Sequence, residues 1–237
     1  MANNYFQFKQ FNIQQDKCAM KVCTDACLFG ALVANENLQI ASCLDIGTGT
    51  GLLSVMLAQK NNSVKIDAVE LDTAAATQAA ENIAASPWAA NIQVYNKDIL
   101  TFALHKKYDG IFSNPPFFED DLRSVNETKN NAKHDTSLSF VQLLQVVDNL
   151  LSPNGFFAVL LPYHRVEYFI EEAKRSGLHL HKQILVKQTI KHTCFRGILF
   201  FSRTASETEQ TEIIIKDSNQ HYTPEFSAAL KDYYLFL

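Results

Sequence analysis

The sequence predicts an α/β fold in which helices cover both faces of a seven-stranded, mostly parallel sheet whose last strand is antiparallel. Two patterns support this prediction. Short apolar runs alternate with helical stretches through the middle of the chain, which is typical of parallel strands joined by helical crossovers. In addition, a loop with glycines at positions 47, 49 and 51 joins the first of these runs to the helix that follows it.

Seven apolar runs are the strand candidates. They lie at residues 39–47, 64–71, 91–96, 108–114, 155–162, 178–187 and 196–203. The last two runs are too close together for a helical crossover, so we expect them to pair as an antiparallel hairpin. Helices are predicted at residues 51–60, 73–86, 137–151 and 164–177.

We expect a single domain over residues 1–237. Its core is predicted at residues 37–204, preceded by an extension at residues 1–36 that reads as a short extended segment and a helix. Residues 205–237 are predicted to dock on the core as a strand and a helix, because Pro224 stands where a helix can begin.

Composition narrows the class of protein. Apolar residues make up 47% of the 237 residues and charged residues 19%, which is typical of a globular protein. No apolar run reaches the roughly 20 residues of a membrane-spanning helix, and the N-terminus lacks the pattern of a secretory signal. The five cysteines form no paired CxxC motif, so we interpret them as reduced thiols of a cytoplasmic protein without a metal site.

The glycine-rich loop indicates a ligand site at the end of the first core strand. Glycine tolerates positive φ angles and leaves room for a ligand beside the backbone. Dinucleotide sites use the spacing GxGxxG, whereas Gly47, Gly49 and Gly51 give GxGxG with Asp45 in front. A carboxylate there would repel pyrophosphate and suits an amino group or a sulfonium, as in S-adenosylmethionine. A dinucleotide site and a merely tight turn are the alternatives.

Acidic residues follow the next two strands. Glu70, followed by Leu71, ends the second strand and can accept hydrogen bonds from ribose hydroxyls. Asp98, followed by Ile99, comes after the third strand, where its carboxylate can reach an adenine amine. Because parallel strands end at one edge of the sheet, these residues and Asp45 predict one pocket there.

These motifs together resemble the class I S-adenosylmethionine-dependent methyltransferases. The resemblance rests on Asp45 and the glycine loop with Thr48, on Glu70 and Asp98, and on the NPPF motif of residues 114–117. It implies a Rossmann-like core, S-adenosyl-L-methionine as cofactor, S-adenosyl-L-homocysteine as product, and methyl transfer to an amino group. No metal is implied.

The NPPF motif explains this chemistry. The amine of adenine is a poor nucleophile because its lone pair is conjugated with the ring. Acceptors on its hydrogens, the carbonyls of Asn114 and Pro115, can make it more nucleophilic, and Pro115 and Pro116 fix the local backbone. Phe117 can stack on a flipped base. Because adenine, guanine and cytosine amines and protein glutamine all suit this motif, it does not determine the substrate.

The two ends of the chain narrow the choice of substrate. Residues 8–34 and 222–237 resemble the corresponding ends of the bacterial tRNA1(Val) (adenine-37 N6)-methyltransferases. The resemblance implies tRNA as partner, adenine 37 as target, and an N-terminal extension whose residues Lys21, Thr24 and Asp25 fold over the cofactor. A plain helix cap is the alternative for Thr24 and Asp25. No obligatory protein partner and no membrane association are expected.

Two groups of residues are candidates for RNA binding, because lysine and arginine bind phosphates. The first follows the NPPF motif and the second surrounds the predicted hairpin; they comprise Phe118, Arg123, Lys129, Lys133, His134, Lys187, Lys191 and Arg196. Methylation of a release-factor glutamine or of an rRNA guanine amine is the alternative function. A cofactor-binding module without catalysis is a further alternative.

Overall fold

The computed structural model describes residues 3–36, 40–115 and 138–237. Its ten strands are β1 (Tyr5–Gln7), β2 (Asn12–Gln14), β3 (Ser42–Ile46), β4 (Lys65–Glu70), β5 (Ile92–Asn96), β6 (Tyr108–Ser113), β7 (Leu151–Pro162), β8 (His179–Thr189), β9 (Cys194–Ser202) and β10 (Glu209–Lys216). Its six α-helices are α1 (Thr24–Glu36), α2 (Leu52–Lys60), α3 (Thr73–Ala84), α4 (Phe140–Leu150), α5 (Val166–Arg175) and α6 (Pro224–Leu230). Short 3-10 turns occur at Ala89–Asn91 and Tyr163–Arg165.

The main sheet has eight strands in the order β10-β8-β9-β7-β6-β3-β4-β5. Within the described ranges, β9 is the only strand of this sheet that runs antiparallel to its neighbours, as expected for the seventh strand. The predicted number of seven strands was wrong, because β10 adds to the edge of the sheet, parallel to β8. Its sequence, EQTEIIIK, is charged and largely exposed, so it lacks the continuous apolar run of a central strand.

Alternate residues of β7 enter two different cores, because successive side chains of a strand point to opposite faces. Phe157, Val159 and Leu161 pack with residues of α4 and α5 on one face of the sheet. The other face is covered by α1, α2, α3 and α6. The alternate residues of β7 pack on that face: Phe156, Ala158 and Leu160. The predicted covering of both faces by helices is confirmed.

The N-terminal extension forms a hairpin rather than a single extended segment. Strands β1 and β2 pair antiparallel, and the turn between them stacks the rings of Phe8 and Phe11 at 4.4 Å. The predicted helix of this extension is α1, and it packs on α2 and α6. At the C-terminus the Tyr233 hydroxyl donates to the carbonyl of Met56 at 3.0 Å, which fastens the tail to α2. Among the described helices, none is both long and apolar enough to cross a membrane.

The buried side chain of Asn82 on α3 ties the extension to the core. Its Oδ1 accepts from the N–H of Gln14 at 2.8 Å, and its Nδ2 donates to the carbonyls of Gln14 and Thr50, both at 2.9 Å. Thr50 belongs to the glycine loop. One amide therefore joins β2, α3 and the loop that ends β3.

Replacement of Asn82 by alanine should lower the free energy of unfolding by about 2–4 kcal/mol, because several buried backbone groups lose their partners. Urea unfolding measures this change. Thr77→Ala is the matched control, since within the described ranges the Thr77 hydroxyl donates only to the carbonyl of Thr73 in its own helix. Equal stability of the two variants would show that Asn82 does not hold the extension.

Candidate active site

The predicted pocket residues meet at the carboxyl edge of the sheet. Strand β3 lies between β4 and β6, so the glycine loop after β3 is flanked by the end of β4 at Glu70 and the end of β6 before Asn114. Asp98 follows β5, the neighbour of β4. The structure thus brings these side chains to one edge, as the sequence predicts.

The glycine loop has the backbone conformation that its composition indicates. Gly47 and Gly49 have φ angles of 72° and 57°, in the left-handed region that favours glycine. A Cβ atom at either position would meet no atom within 4 Å among the described residues. The two glycines therefore serve the turn and leave open space beside the backbone.

Asp45 lies at the end of β3 with its side chain fully buried under this loop. Its Oδ2 accepts hydrogen bonds from the hydroxyls of Thr48 and Ser54, both at 2.7 Å. Its Oδ1 has no hydrogen-bond partner in the described part of the chain. Burial raises the pKa of Asp45 to about 6, against the lowering effect of the two hydroxyls. A cationic group at Oδ1 would stabilise the ionised form.

Glu70 connects the glycine loop with the end of β4. Its Oε2 accepts from the N–H of Gly49 and its Oε1 from the N–H of Asp72, both at 2.9 Å. A carboxylate oxygen accepts more than one hydrogen bond, so the predicted contact with ribose hydroxyls is compatible with this position. Asn96 was missed from the sequence: its Nδ2 donates to the carbonyls of Glu70 and Leu71, both at 3.0 Å, and holds the two strand ends together.

Apolar side chains stand beside these acids. Leu71 is 52% exposed directly after Glu70, and Ile99 is half-buried after β5. Asp98 is half-buried, and its Oδ1 accepts from the N–H of Leu100 at 2.9 Å. The ends of β4 and β5 therefore offer both carboxylate oxygens and apolar surface.

Asn114 follows β6 directly, on the other side of the glycine loop. Its Oδ1 is buried and has no hydrogen-bond partner within the described ranges. The preceding residue, Ser113, donates its hydroxyl to the carbonyl of Ile46 at 2.8 Å and so fixes the end of β6 to the end of β3. Pro115 is buried. The other residues predicted for this motif lie outside the described residues: Pro116, Phe117 and Phe118.

The predicted N-terminal site residues differ in their surroundings. Lys21 is exposed and Thr24 half-buried, whereas Asp25 is buried at the start of α1. The Nε of Arg196 donates to Oδ2 of Asp25 at 2.6 Å. Asp25 therefore joins the extension to the start of β9, and the predicted contact of Arg196 with RNA would have to compete with this ion pair.

The other predicted RNA-binding residues lie on or beyond the end of β8. Lys187 is paired with Glu212 of β10 at 2.7 Å, and this carboxylate raises the pKa of Lys187. Lys191 is exposed in the turn between β8 and β9. The remaining members of the two groups lie outside the described residues: Arg123, Lys129, Lys133 and His134.

Charge is divided along this edge of the sheet. The acidic half consists of Asp45 and Glu70, at the ends of β3 and β4, and of Asp98, which follows β5. Basic side chains come from the ends of β7, β8 and β9, and we call them the basic half: His164, Arg165, Lys187, Lys191, His192 and Arg196. Asn114, directly after β6, lies between the two halves.

A sheet of this topology with a glycine loop and acids at successive strand ends defines the class of Rossmann-like methyltransferases, and a family model for the methyltransferase small domain matches residues 26–142. The chain belongs to the family of tRNA1(Val) (adenine(37)-N6)-methyltransferases. It is 41% identical to the member from Pectobacterium carotovorum subsp. carotovorum, over 98% of this chain and 94% of the relative. It is 40% identical to the member from Bacteroides fragilis, over 99% of both chains.

The solved structures support the fold. A predicted O-methyltransferase from Agrobacterium tumefaciens superposes with a TM-score of 0.65 over 88% of this chain and 96% of that chain, at 18% identity. Because this identity is low, the likeness shows the fold alone. In the described part of the chain, no group of three His, Cys, Asp or Glu side chains could hold a metal ion.

The raised pKa of Asp45 predicts a pH-dependent stability. Because burial raises this pKa from 3.8 to about 6, the folded chain binds the proton more tightly than the unfolded chain. The free energy of unfolding should therefore fall by about 3 kcal/mol as the pH rises from about 4 to about 6, and this loss is fully present above that range. Asp45→Asn removes this loss.

Urea unfolding of wild type and Asp45→Asn between pH 4 and pH 8 tests this. The variant should be the more stable protein at pH 8, and the difference should vanish near pH 4. A variant that is less stable than wild type at pH 8 would contradict the inference. Ser54→Ala is the control, since it removes a hydrogen bond to the carboxylate and should destabilise the protein most at high pH.

Proposed function

We propose that this protein transfers a methyl group from S-adenosyl-L-methionine to N6 of an adenine in tRNA, at adenine 37 of tRNA1(Val). One observation carries the proposal: the buried Oδ1 of Asn114, which has no hydrogen-bond partner among the described residues, lies between an acidic half and a basic half of one sheet edge. The names of the relatives, which cover the whole chain at about 40% identity, support the choice of substrate.

The acidic half fits the cofactor. Asp45 offers the unpartnered Oδ1 to the amino group of the cofactor, and the open space beside Gly47 and Gly49 admits its chain. Glu70 would bind the ribose hydroxyls, while Leu71 and Ile99 would flank the adenine ring with Asp98 near its amine. When bound, the cofactor supplies a methyl group on a positively charged sulfonium. The residues named here only position it and reduce its contact with water.

Asn114 and Pro115 would prepare the target amine. The N6 lone pair of adenine is delocalised into the ring, and acceptors on both hydrogens draw the nitrogen towards a tetrahedral, more nucleophilic geometry. The Oδ1 of Asn114 is free to accept one of these hydrogens, and the carbonyl of Pro115 is the second acceptor. Once the nitrogen carries the methyl group it is acidic and loses its proton readily. A strong general base is therefore unnecessary.

The basic half favours a nucleic acid as substrate. Its residues lie on the side of Asn114 away from Asp45, Glu70 and Asp98, so a polyanion can approach Asn114 without passing the acidic half. Two of these residues are paired with acids, Lys187 with Glu212 and Arg196 with Asp25, so a phosphate would have to compete for them. Transfer to an adenine inside a nucleic acid requires the base to leave the stack. In a single-stranded anticodon loop the base is not paired, so the free-energy cost of taking it out of the stack is lower.

Labelled cofactor and total tRNA from cells without the activity provide the direct test. After reaction, mass spectrometry of digested tRNA should locate N6-methyladenosine at position 37 of tRNA1(Val). Label in a release-factor glutamine, with tRNA unmodified, would overturn the proposal. Calorimetry with S-adenosyl-L-homocysteine measures cofactor binding separately from turnover.

Replacement of Asn114 by alanine should reduce turnover by about 10²–10³, the usual effect of removing one polar group that acts in the transition state. Cofactor affinity, measured by calorimetry, should stay near that of wild type because Asn114 lies outside the acidic half. If the variant keeps normal turnover at saturating cofactor, the role given to Asn114 is wrong.

Two lysines allow a matched test of the phosphate contacts. The logarithm of tRNA affinity should fall linearly with the logarithm of salt concentration, and Lys191→Ala should make this slope shallower by about 0.7–0.9. Lys187→Ala should change it less, because Glu212 already neutralises Lys187. Filter binding at several salt concentrations gives both slopes. Equal changes would show that the pair with Glu212 breaks when RNA binds.

A further inference from the structure

At the carboxyl edge of the sheet, the strand beside Asn114 extends further than β6 does. Ser113 at the end of β6 is level with Val159 of β7, but β7 continues to Pro162. Tyr163, the next residue, therefore lies about 10 Å further along the strand direction than Asn114, at 3.3 Å per residue. An exposed side chain at this level is within reach of a nucleotide that extends outward from Asn114.

The hairpin of β8 and β9 extends beyond the end of β7 in the same direction. Arg196 is level with Pro162 and Val186, and the last paired residues of the hairpin are Lys187 and Cys194. The turn beyond them consists of residues 190–193. The 3-10 turn Tyr163–Arg165 contacts β9, and Pro162 pairs with Arg196, which places Tyr163 beside the start of β9 and below this turn. We call Tyr163, Ile190, Lys191 and His192 the rim.

The rim combines exposed apolar surface with positive charge. Tyr163 is 45% and Ile190 61% exposed, and both are adjacent to basic residues in the sequence or across the hairpin. A single exposed apolar side chain is ordinary on a protein surface. Here two of them lie at the far end of the basic half: Ile190 directly precedes the exposed Lys191 and His192, and Tyr163 follows β7 beside the start of β9. Aromatic rings interleaved with basic side chains are the usual means of holding single-stranded nucleic acid.

We propose that Tyr163 is a substrate-positioning residue that stacks on a nucleotide adjacent to the target adenine, while Lys191 holds a neighbouring phosphate. The inference rests on the proposed function and extends it to the nucleotides around the target. Base stacking tolerates any base, because every base has a π-face. The rim therefore fixes how the anticodon loop is held, and the amine chemistry at Asn114 remains separate from it.

Steady-state kinetics with the tRNA substrate give the first test. Tyr163→Ala should lower kcat/KM by about 5- to 150-fold, the cost of one lost base stack, mainly through a higher KM. The salt slope of binding should not change, because no charge is lost. Tyr163→Phe keeps the ring and should restore most of the affinity. Phe236→Ala is the matched control, since Phe236 is 86% exposed in the C-terminal tail outside the rim and should leave the kinetics unchanged.

A double-mutant cycle on the RNA side identifies the stacked nucleotide. Anticodon stem-loops carrying an abasic site 5′ or 3′ of the target adenine are compared on wild type and Tyr163→Ala, both checked for unchanged unfolding temperature. One of the two abasic sites should strongly weaken the binding of the stem-loop by wild type and should weaken its binding by the variant only a little. If each abasic site weakens stem-loop binding equally in the two proteins, or if Tyr163→Ala has the kcat/KM of wild type, this inference is wrong. If wild type methylates no tRNA at all, the proposed function itself fails.

Discussion

The buried carboxylate of Asp45 is the interaction on which the rest of the site depends. It lies on the central strand β3, and its Oδ2 draws in the hydroxyl of Thr48 from the glycine loop and that of Ser54 from α2. The loop must therefore turn back over the strand end, and the positive φ angles of Gly47 and Gly49 make this turn possible. The loop in turn presents the N–H of Gly49 to Glu70 of the neighbouring strand. The contact between the glycine loop and Glu70 therefore depends on the turn that Asp45 holds in place.

This arrangement costs stability. A carboxylate buried with one oxygen unpartnered favours its neutral form, which is why the pKa of Asp45 rises. The large apolar cores on both faces of the sheet offset such a cost, and the amide of Asn82 adds buried hydrogen bonds close to the same loop. A strained or unsatisfied group that persists in this way is typical of a position kept for binding a ligand rather than for folding.

The sequence predicted those parts of the structure that depend on local pattern. The glycine spacing, the acids at strand ends and the β8–β9 hairpin are local patterns of that kind, and the structure places them as expected. It could not predict features that depend on which segments meet: a strand was predicted within residues 205–237, but not that it would pair with β8 as an eighth strand of the main sheet, and Asn96 is an ordinary asparagine until β4 and β5 lie side by side. The same holds for Arg196, whose partner Asp25 is 171 residues away in the chain. The predicted contacts of these residues with cofactor and RNA stay predictions.

A neutral amide suits the boundary between the two charged halves. A carboxylate at position 114 would add a fourth acid to the edge that carries Asp45, Glu70 and Asp98, and its charge would repel the phosphates that the basic half attracts. A lysine or arginine there would offer donors where an amine needs acceptors. The amide of Asn114 presents a buried acceptor without a charge and does not titrate between pH 4 and pH 10. The acceptor at Asn114 therefore stays constant with pH while the two halves hold molecules of opposite charge.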